Sequence, residues 1–168
     1  MKIFFIASVF IIFTHFIIAQ NNDELAGRRA PNFVLENLDG DYIELSKEIG
    51  EGPILLSFWA TWCKPCLEEL TELKELYKTY KDKGFKIIAI STDNEKTVAK
   101  VKPVVNSKGF DFPVVYDTNS EIARIYYAQQ VPFSVLIDRN GAIVYSHLGY
   151  MRGDEIVISN KVKEMMAD

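Results

Sequence analysis

Short apolar runs and longer amphipathic segments alternate along the chain. The run PILLSFWA at 53–60 follows turn residues and is continuously apolar, which is typical of a central strand buried on both faces. Over 65–83, apolar residues recur at three- and four-residue spacing between glutamates and lysines, which predicts an amphipathic helix. A second apolar run, FKIIAIS at 85–91, predicts another buried strand. Strand, helix and strand in this order indicate an α/β fold.

The remaining segments extend this fold at both ends. The apolar FVL and the alternating YIEL, on either side of Asp39-Gly40, predict an N-terminal β-hairpin. We expect a helix over 94–107 that is interrupted or kinked near Pro103, because proline cannot donate its helical hydrogen bond. The later segments predict a strand at 112–117, a helix at 119–128, strands at 133–138 and 142–148 around Asn140-Gly141, and a helix at 153–166. The expected architecture is a central mixed β-sheet with helices on both faces.

The 168 residues suffice for one domain with a single core, but the first part of the chain has a different character. Lys2 precedes a nearly unbroken apolar run over 3–19, and polar NNDE follows it. These features are typical of an export signal or of a short membrane-spanning helix. The expected organisation is a signal peptide or membrane anchor at 1–19, a polar lead-in at 20–29 and the folded domain at 30–168.

The sequence leaves cleavage and anchoring both open. Ala19 is a small residue before a possible cut, whereas Ile17 is bulky at a position where cleavage sites prefer a small side chain. In either case we expect the domain to be exported to the periplasm, soluble after cleavage or held by the uncleaved segment. The net charge of -4 is spread along the chain, so no nucleic-acid partner is expected.

Cys63 and Cys66 are the only cysteines in the sequence. Exported proteins held together by disulfides usually carry four or more cysteines that bridge distant segments. A bond between Cys63 and Cys66 closes so short a loop that it removes little entropy from the unfolded chain. A zinc site or a cysteine hydrolase would have only His147 to add after the first 20 residues, so we expect no metal. We therefore interpret the pair as redox-active.

The position of the pair assigns different tasks to the two sulfurs. Cys63 falls where the buried strand ends and the helix begins, so unpaired N–H groups and the positive end of the helix dipole favour its thiolate. Lys64 adds positive charge, and Pro65 suits the first helical turn. Cys66 should be more buried. We expect Cys63 to attack a partner's disulfide and Cys66 to resolve the mixed disulfide.

From about 30 to its end, the chain resembles the thioredoxin superfamily, and within it the exported TlpA/ResA-like thiol-disulfide oxidoreductases. The resemblance lies in FWATWCKPC, in the tripeptide VPF at 131–133, and in an extra helix and strand inserted between Ser91 and Asp117. It implies a thioredoxin-like α/β fold, with a helix–strand insertion in its middle. It also implies that Pro132 is cis and lies beside the cysteines, and that the backbone of Val131 pairs with an extended substrate.

The resemblance also bears on how protons are handled. Thioredoxin has a buried acid at the position of Ser57, which cannot take a proton at neutral pH. The exported branch instead has a glutamate three residues after the second cysteine, which is Glu69 here. A carboxylate beside the pair could accept the proton of Cys66, so we assign Glu69 as a catalytic general base. Trp62, next to Cys63, is expected to shield the sulfur or to contact substrate, together with Lys64 and Pro65.

The functional hypothesis is an exported reductant of protein disulfides that needs no cofactor. The resemblance implies a membrane thiol-disulfide electron donor and oxidised protein substrates, with apocytochrome c in cytochrome c maturation as one possibility. We expect a monomer. The direction of electron flow stays open, since a dithiol can reduce, oxidise or isomerise according to its potential. Two other functions also stay open, a non-catalytic adaptor that binds extended segments beside Pro132 and a peroxiredoxin-like peroxidase.

Overall fold

The computed structural model describes residues 25–167, so the predicted signal peptide or anchor at 1–19 lies outside the described residues. In the described part of the chain, no helix is both long and apolar enough to cross a membrane. The elements, in chain order, are β1 (Val34–Glu36), β2 (Tyr42–Glu44), α1 (Leu45–Glu48), β3 (Ile54–Trp59), α2 (Lys64–Tyr80), β4 (Lys86–Ser91), α3 (Val101–Lys108), β5 (Val114–Tyr116), α4 (Glu121–Ile125), β6 (Phe133–Ile137), β7 (Ile143–Leu148) and α5 (Asp154–Ala167).

The main sheet is mixed, as the sequence predicts. Its described strands follow the order β5-β4-β3-β6-β7, in which β3, β4 and β5 are parallel and β6 and β7 run antiparallel to their neighbours. Strand β3 lies in the middle and is buried at all six positions, which explains its continuous apolar run. Strands β1 and β2 form the predicted hairpin as a separate two-stranded sheet.

Helices cover both faces of the main sheet. On one face, Leu55 and Trp59 of β3 pack with apolar residues of α2, α3 and α5. On the other face, Leu56 and Phe58 pack with α1, with α4 and with Phe33 before the hairpin. Alternate residues of β3 therefore supply two cores, as the period of two along a strand requires. The thioredoxin-like α/β architecture predicted from the sequence is confirmed.

The segment that the sequence assigns to a helix over 94–107 is helical only in its second half. A turn at Asn94 and a 3-10 turn at Val98–Lys100 precede α3, which begins at Val101. Pro103 therefore lies in the first turn of α3, where its missing N–H would have no partner within the helix. The predicted start of this helix was wrong, because the proline sets the beginning of the α-helix instead of kinking its middle.

The domain includes residues just before Ala30. Leu25 is buried in the core that α4 covers, and the N–H of Gly27 donates to the carbonyl oxygen of Ile143 at 2.8 Å. Arg29 forms a bridge to Ala142, beside the β6–β7 hairpin. Residues 25–29, which belong to the expected polar lead-in, thus pack on the folded part of the chain, and 27–29 lie beside the start of strand β7.

A buried carboxylate holds the start of helix α4. Asp117, which follows β5, accepts hydrogen bonds from the N–H groups of Ile122 and Ala123 at 3.2 and 2.8 Å. These two donors would otherwise be unpaired at the helix start. Asn119 makes a more exposed contact, in which its side-chain oxygen accepts from the N–H of Glu121 at 3.1 Å.

We predict that Asp117→Ala lowers the free energy of unfolding by about 2 kcal/mol or more, because it leaves two buried N–H groups without their acceptor. The matched control is Asn119→Ala, which removes an exposed acceptor and should cost roughly 0.5 kcal/mol. Urea unfolding monitored by circular dichroism measures both variants. Equal losses in the two variants would show that the carboxylate does not hold this helix.

Candidate active site

The cysteine pair lies at the junction between β3 and α2. Cys63 is the N-cap residue of α2, with extended backbone angles, and Pro65 lies in the first turn of the helix. The N–H of Cys63 donates to the carbonyl oxygen of Ala60 at 3.1 Å, which forms the turn that leads into the helix. Three residues, 60–62, separate the strand from Cys63. The sheet therefore determines where the first sulfur lies.

The two cysteines form a disulfide in this structure. Their sulfurs are 2.03 Å apart, and the N–H of Cys66 donates to the Sγ of Cys63 at 3.3 Å. Cys63 keeps 5% of its surface exposed, whereas Cys66 is fully buried. Cys63 is therefore the less buried of the two residues, and the same N–H would support a thiolate on its sulfur.

A buried aspartate that sequence reasoning missed supports the turn before Cys63. The carboxylate of Asp93 accepts from the N–H of Thr61 at 2.8 Å and from its hydroxyl at 2.6 Å. The hydroxyl of Ser91 donates to the same carboxylate at 3.0 Å. Asp93 follows β4, whose end lies beside the end of β3 because the two strands are parallel. An acid just after a buried strand is the signal that could have found it.

Glu69 lies on the first turns of α2 and is 1% exposed, three residues after Cys66 and hence on the same side of the helix. Its Oε1 accepts a hydrogen bond from the hydroxyl of Ser134 at 2.8 Å. Burial raises the pKa of Glu69 to about 7, the Ser134 hydrogen bond opposes that rise, and the charge of Asp154 adds to it. Glu69 can therefore exchange a proton near neutral pH.

Ser57 and Ser134 lie on the face of the sheet that α2 covers, and Ser134 contacts Glu69. They are directly paired between the antiparallel strands β3 and β6. Among the described residues, neither the Oε2 of Glu69 nor the hydroxyl of Ser57 has a hydrogen-bond partner. Ser134 was not predicted as a site residue, although a serine within the apolar run FSVLI is the signal that could have found it.

Trp62 and Val131 face a common groove beside the cysteines. The groove holds about 630 Å³ and is also lined by Thr92, Arg124 and the loop 128–130 before β6. Trp62 is 66% exposed, so most of its ring is available for contact. The Val131–Pro132 peptide bond is cis, and the carbonyl oxygen of Pro132 accepts from the N–H of Gly149 at 2.8 Å.

Lys64 does not line this groove. Its side chain is largely exposed, and its Nζ is 3.8 Å from the Oε1 of Glu68, a contact of little energetic weight at the surface. It lines a smaller hollow of about 300 Å³ together with Tyr150 and Arg152. Lys64 thus lines a different hollow from Trp62 and Val131, the residues with which the sequence analysis groups it as substrate-binding. Within 25–167, no three His, Cys, Asp or Glu side chains are placed to hold a metal ion.

A Cys-x-x-Cys disulfide at a strand-to-helix junction of a five-stranded mixed sheet defines a thioredoxin-like protein. Comparison with known proteins agrees with this class. The Redoxin family model matches residues 25–163. The thiol-disulfide oxidoreductase ResA of Bacillus thuringiensis (strain Al Hakam) is 38% identical over 130 residues, which cover 77% of this chain and 73% of that protein.

Two solved structures show the same fold. A thiol:disulfide interchange protein from Bacteroides sp. superposes with a TM-score of 0.71 and 27% identity, covering 85% of this chain and 91% of its own. A thioredoxin-like protein from Porphyromonas gingivalis gives a TM-score of 0.70 and 36% identity, covering 82% and 91%. The chain therefore belongs to the Redoxin family, among its TlpA/ResA-like members. It is a protein thiol-disulfide oxidoreductase of the thioredoxin-like class.

We predict that Glu69→Gln stabilises the oxidised protein above pH 7 by roughly 3 kcal/mol, because the amide avoids the cost of burying a charge. The pKa of Glu69 is about 7 in the folded protein and 4.5 in the unfolded chain. Below pH 4.5 both states keep the proton, so the effect vanishes. Between pH 4.5 and about 7 the unfolded chain has already lost the Glu69 proton while the folded protein still holds it, so the free energy of unfolding of the wild type falls as pH rises.

Urea unfolding of oxidised protein at pH 4, 6 and 8 measures this difference. Glu68→Gln is the matched control, because it changes an exposed neighbour on the same helix and should show no such dependence on pH. A constant difference between Glu69→Gln and the wild type across the three pH values would contradict the prediction.

Proposed function

We propose that this protein is an exported reductant of protein disulfides, in which Cys63 is the attacking thiolate, Cys66 the resolving thiol and Glu69 the proton acceptor. The observation that carries the proposal is the arrangement along α2. The less buried cysteine lies at the helix start and the fully buried one lies one turn further. A buried carboxyl, whose pKa is raised to about 7 by burial, follows on the same side.

The first step is nucleophilic attack by the reduced enzyme. The Cys63 thiolate attacks one sulfur of a substrate disulfide, the substrate S–S bond breaks, and a mixed disulfide forms between substrate and Cys63. The released substrate sulfur leaves as a thiolate and takes a proton from water. The N–H of Cys66, which lies 3.3 Å from the Cys63 sulfur in the oxidised protein, supports the attacking anion by hydrogen bonding.

The second step releases the product. The thiol of Cys66 gives its proton to the carboxylate of Glu69 and attacks the sulfur of Cys63. The Cys63–Cys66 disulfide forms, and the second substrate sulfur leaves as a thiolate. Two electrons have then moved from the enzyme dithiol to the substrate disulfide. A membrane-held dithiol would return the enzyme to its reduced state by the reverse exchange.

The groove between Trp62 and Val131 is the proposed binding site for substrate. Trp62, which lines the groove, directly precedes Cys63 in the chain, and a tryptophan that is two-thirds exposed offers apolar surface to an incoming chain. An extended substrate segment would pair with the backbone of Val131 beside Pro132. Lys64 and Pro65 would act between the two cysteines, Lys64 through its charge and Pro65 by fixing the first turn of the helix.

The proposal also includes export of the protein and the direction of electron flow. The apolar run at 3–19 after Lys2 supports delivery to the outer side of the membrane. Between the cysteines, Lys64-Pro65 lacks the histidine found in strongly oxidising pairs, which favours a reductant. Oxidised apocytochrome c is one substrate compatible with this chemistry, in cytochrome c maturation. We propose that the protein works as a monomer.

We predict that the wild type accelerates insulin reduction by dithiothreitol and that Cys63→Ser abolishes the acceleration, because the attacking sulfur is lost. Cys66→Ser should instead accumulate a mixed disulfide on Cys63, because the resolving thiol is absent. Mass spectrometry of the trapped partner, from cells that express Cys66→Ser, would identify the substrate. Absence of turnover in the wild type, together with retained binding of extended peptides, would favour the adaptor function.

We also predict that the redox midpoint of the pair is more reducing than about -200 mV. Pro65→His should make it less reducing, because a cationic histidine near the cysteines stabilises the thiolate of the reduced form. Equilibration with glutathione buffers, followed by thiol alkylation, measures both proteins. A wild-type midpoint close to that of strong periplasmic oxidants, about -120 mV, would reverse the assigned direction.

A further inference from the structure

His147 stands directly beside the serine that binds Glu69. Ser134 on β6 and His147 on β7 are paired residues in the antiparallel register. Side chains of such a pair point to the same face of the sheet, with Cβ atoms about 5 Å apart. The hydroxyl of Ser134 donates to Glu69 on that face at 2.8 Å. The register therefore places His147 opposite the serine that binds the buried carboxyl used in the proposed reaction.

His147 is paired with a carboxylate that begins helix α5. Its Nε2 is 3.3 Å from the Oδ2 of Asp154, and the N–H of Met151 donates to the same Oδ2 at 2.7 Å. The ring of Tyr145 stacks on the imidazole, with centroids 6.2 Å apart and planes 7° from parallel. The side chains of His147 and Asp154 are 33% and 27% exposed, so the pair is partly shielded and still reaches solvent.

Asp154 is the nearby charge that matters for Glu69, since it adds to the rise that burial causes in the pKa of Glu69. Tyr150 donates to Glu155 at 2.9 Å, and Glu155 also accepts from the N–H of Gly153. The titratable or charged groups around Glu69, element by element, are Cys66 and Glu72 on α2, His147 on β7, Tyr150 in the following loop, and Asp154 and Glu155 on α5, while β3 and β6 contribute the neutral Ser57 and Ser134.

We propose that the His147–Asp154 pair controls the proton on Glu69. With a neutral His147, the carboxylate of Asp154 favours the protonated form of Glu69. When His147 gains a proton, the pair becomes neutral overall, and Glu69 gives up its proton more readily. Histidine is the side chain that can change its charge in this way around physiological pH. Both are positioning residues, because they act through Glu69 and do not touch the reacting sulfurs.

As a consequence, we expect the enzyme to keep its activity to a lower pH. As pH falls, protonation of Glu69 removes the acceptor for the Cys66 proton, whereas protonation of His147 opposes that loss. This inference rests on the proposed role of Glu69 as proton acceptor. The electrostatic link between the pair and Glu69 is nevertheless a property of the folded protein and can be measured without turnover.

The test is a pH titration of the Glu69 carboxyl by carbon NMR of the oxidised, glutamate-labelled protein, with the signal assigned by its loss in Glu69→Gln. Asp154→Asn should lower the midpoint of Glu69 by about half a unit or more, because a negative charge is removed. His147→Gln should raise it, because the amide keeps a hydrogen bond to Asp154 and cannot become positive.

Insulin reduction across pH 5 to 8 is a second measurement. The acidic limb of its rate profile should move to lower pH in Asp154→Asn and to higher pH in His147→Gln.

Glu164→Gln is the matched control, because it removes one negative charge from α5 about 15 Å along the helix and should leave the midpoint of Glu69 unchanged. The inference is overturned if His147→Gln and Asp154→Asn leave the Glu69 midpoint unmoved, or if Glu164→Gln moves it equally. If Asp154→Asn does not fold, the partly exposed His147→Gln decides. A wild type that reduces no insulin would contradict the proposed function, and the NMR midpoints would still decide this inference.

Discussion

Strand β3 is buried at all six of its positions and pairs with β4 on one side and β6 on the other, so three strands together fix the point at which it ends. Only residues 60–62 then separate it from Cys63, the N-cap of α2. Asp93 at the end of β4 binds Thr61 through both its N–H and its hydroxyl. The reactive sulfur is therefore held by the packing of the core, and a change deep in the sheet would move it as surely as a change in the turn itself.

Burial of Glu69 is the second constraint, and it works against stability. A carboxyl that is 1% exposed must either stay protonated or carry its charge with few partners, and in this structure Ser134 is its hydrogen-bond donor. Because the pKa is about 7, Glu69 is ionised above neutral pH in the folded protein, and this buried charge lowers the free energy of unfolding. Such a cost is typical of sites where a proton must be exchanged during a reaction. A glutamate in water would carry no such cost.

Much of the fold could be predicted because the signals were local. The continuous apolar run of β3, the helical spacing after Pro65 and the turn at Asn140-Gly141 each specify an element without reference to distant residues. The start of α3 was wrong because a proline is equally compatible with a kinked helix and with a first turn, and only the surrounding structure selects between them. Asp93 and Ser134 were missed for a different reason. Their contacts depend on which strands are neighbours in the sheet, and spacing along the chain does not contain that information.

The surroundings of His147 also could not be predicted from the sequence. In the sequence it is a single histidine in an alternating strand, and too few ligands accompany it for a metal site or a hydrolase. The register of β6 and β7 places it opposite Ser134, and the start of α5 brings Asp154 to its Nε2. Ser134 and Asp154 act on Glu69 in opposite directions, because a hydrogen bond to the carboxylate favours ionisation and a neighbouring negative charge disfavours it. A carboxyl held between two such opposing influences responds to a small change in either one, and the proposed part of His147 is to supply that change through its contact with Asp154.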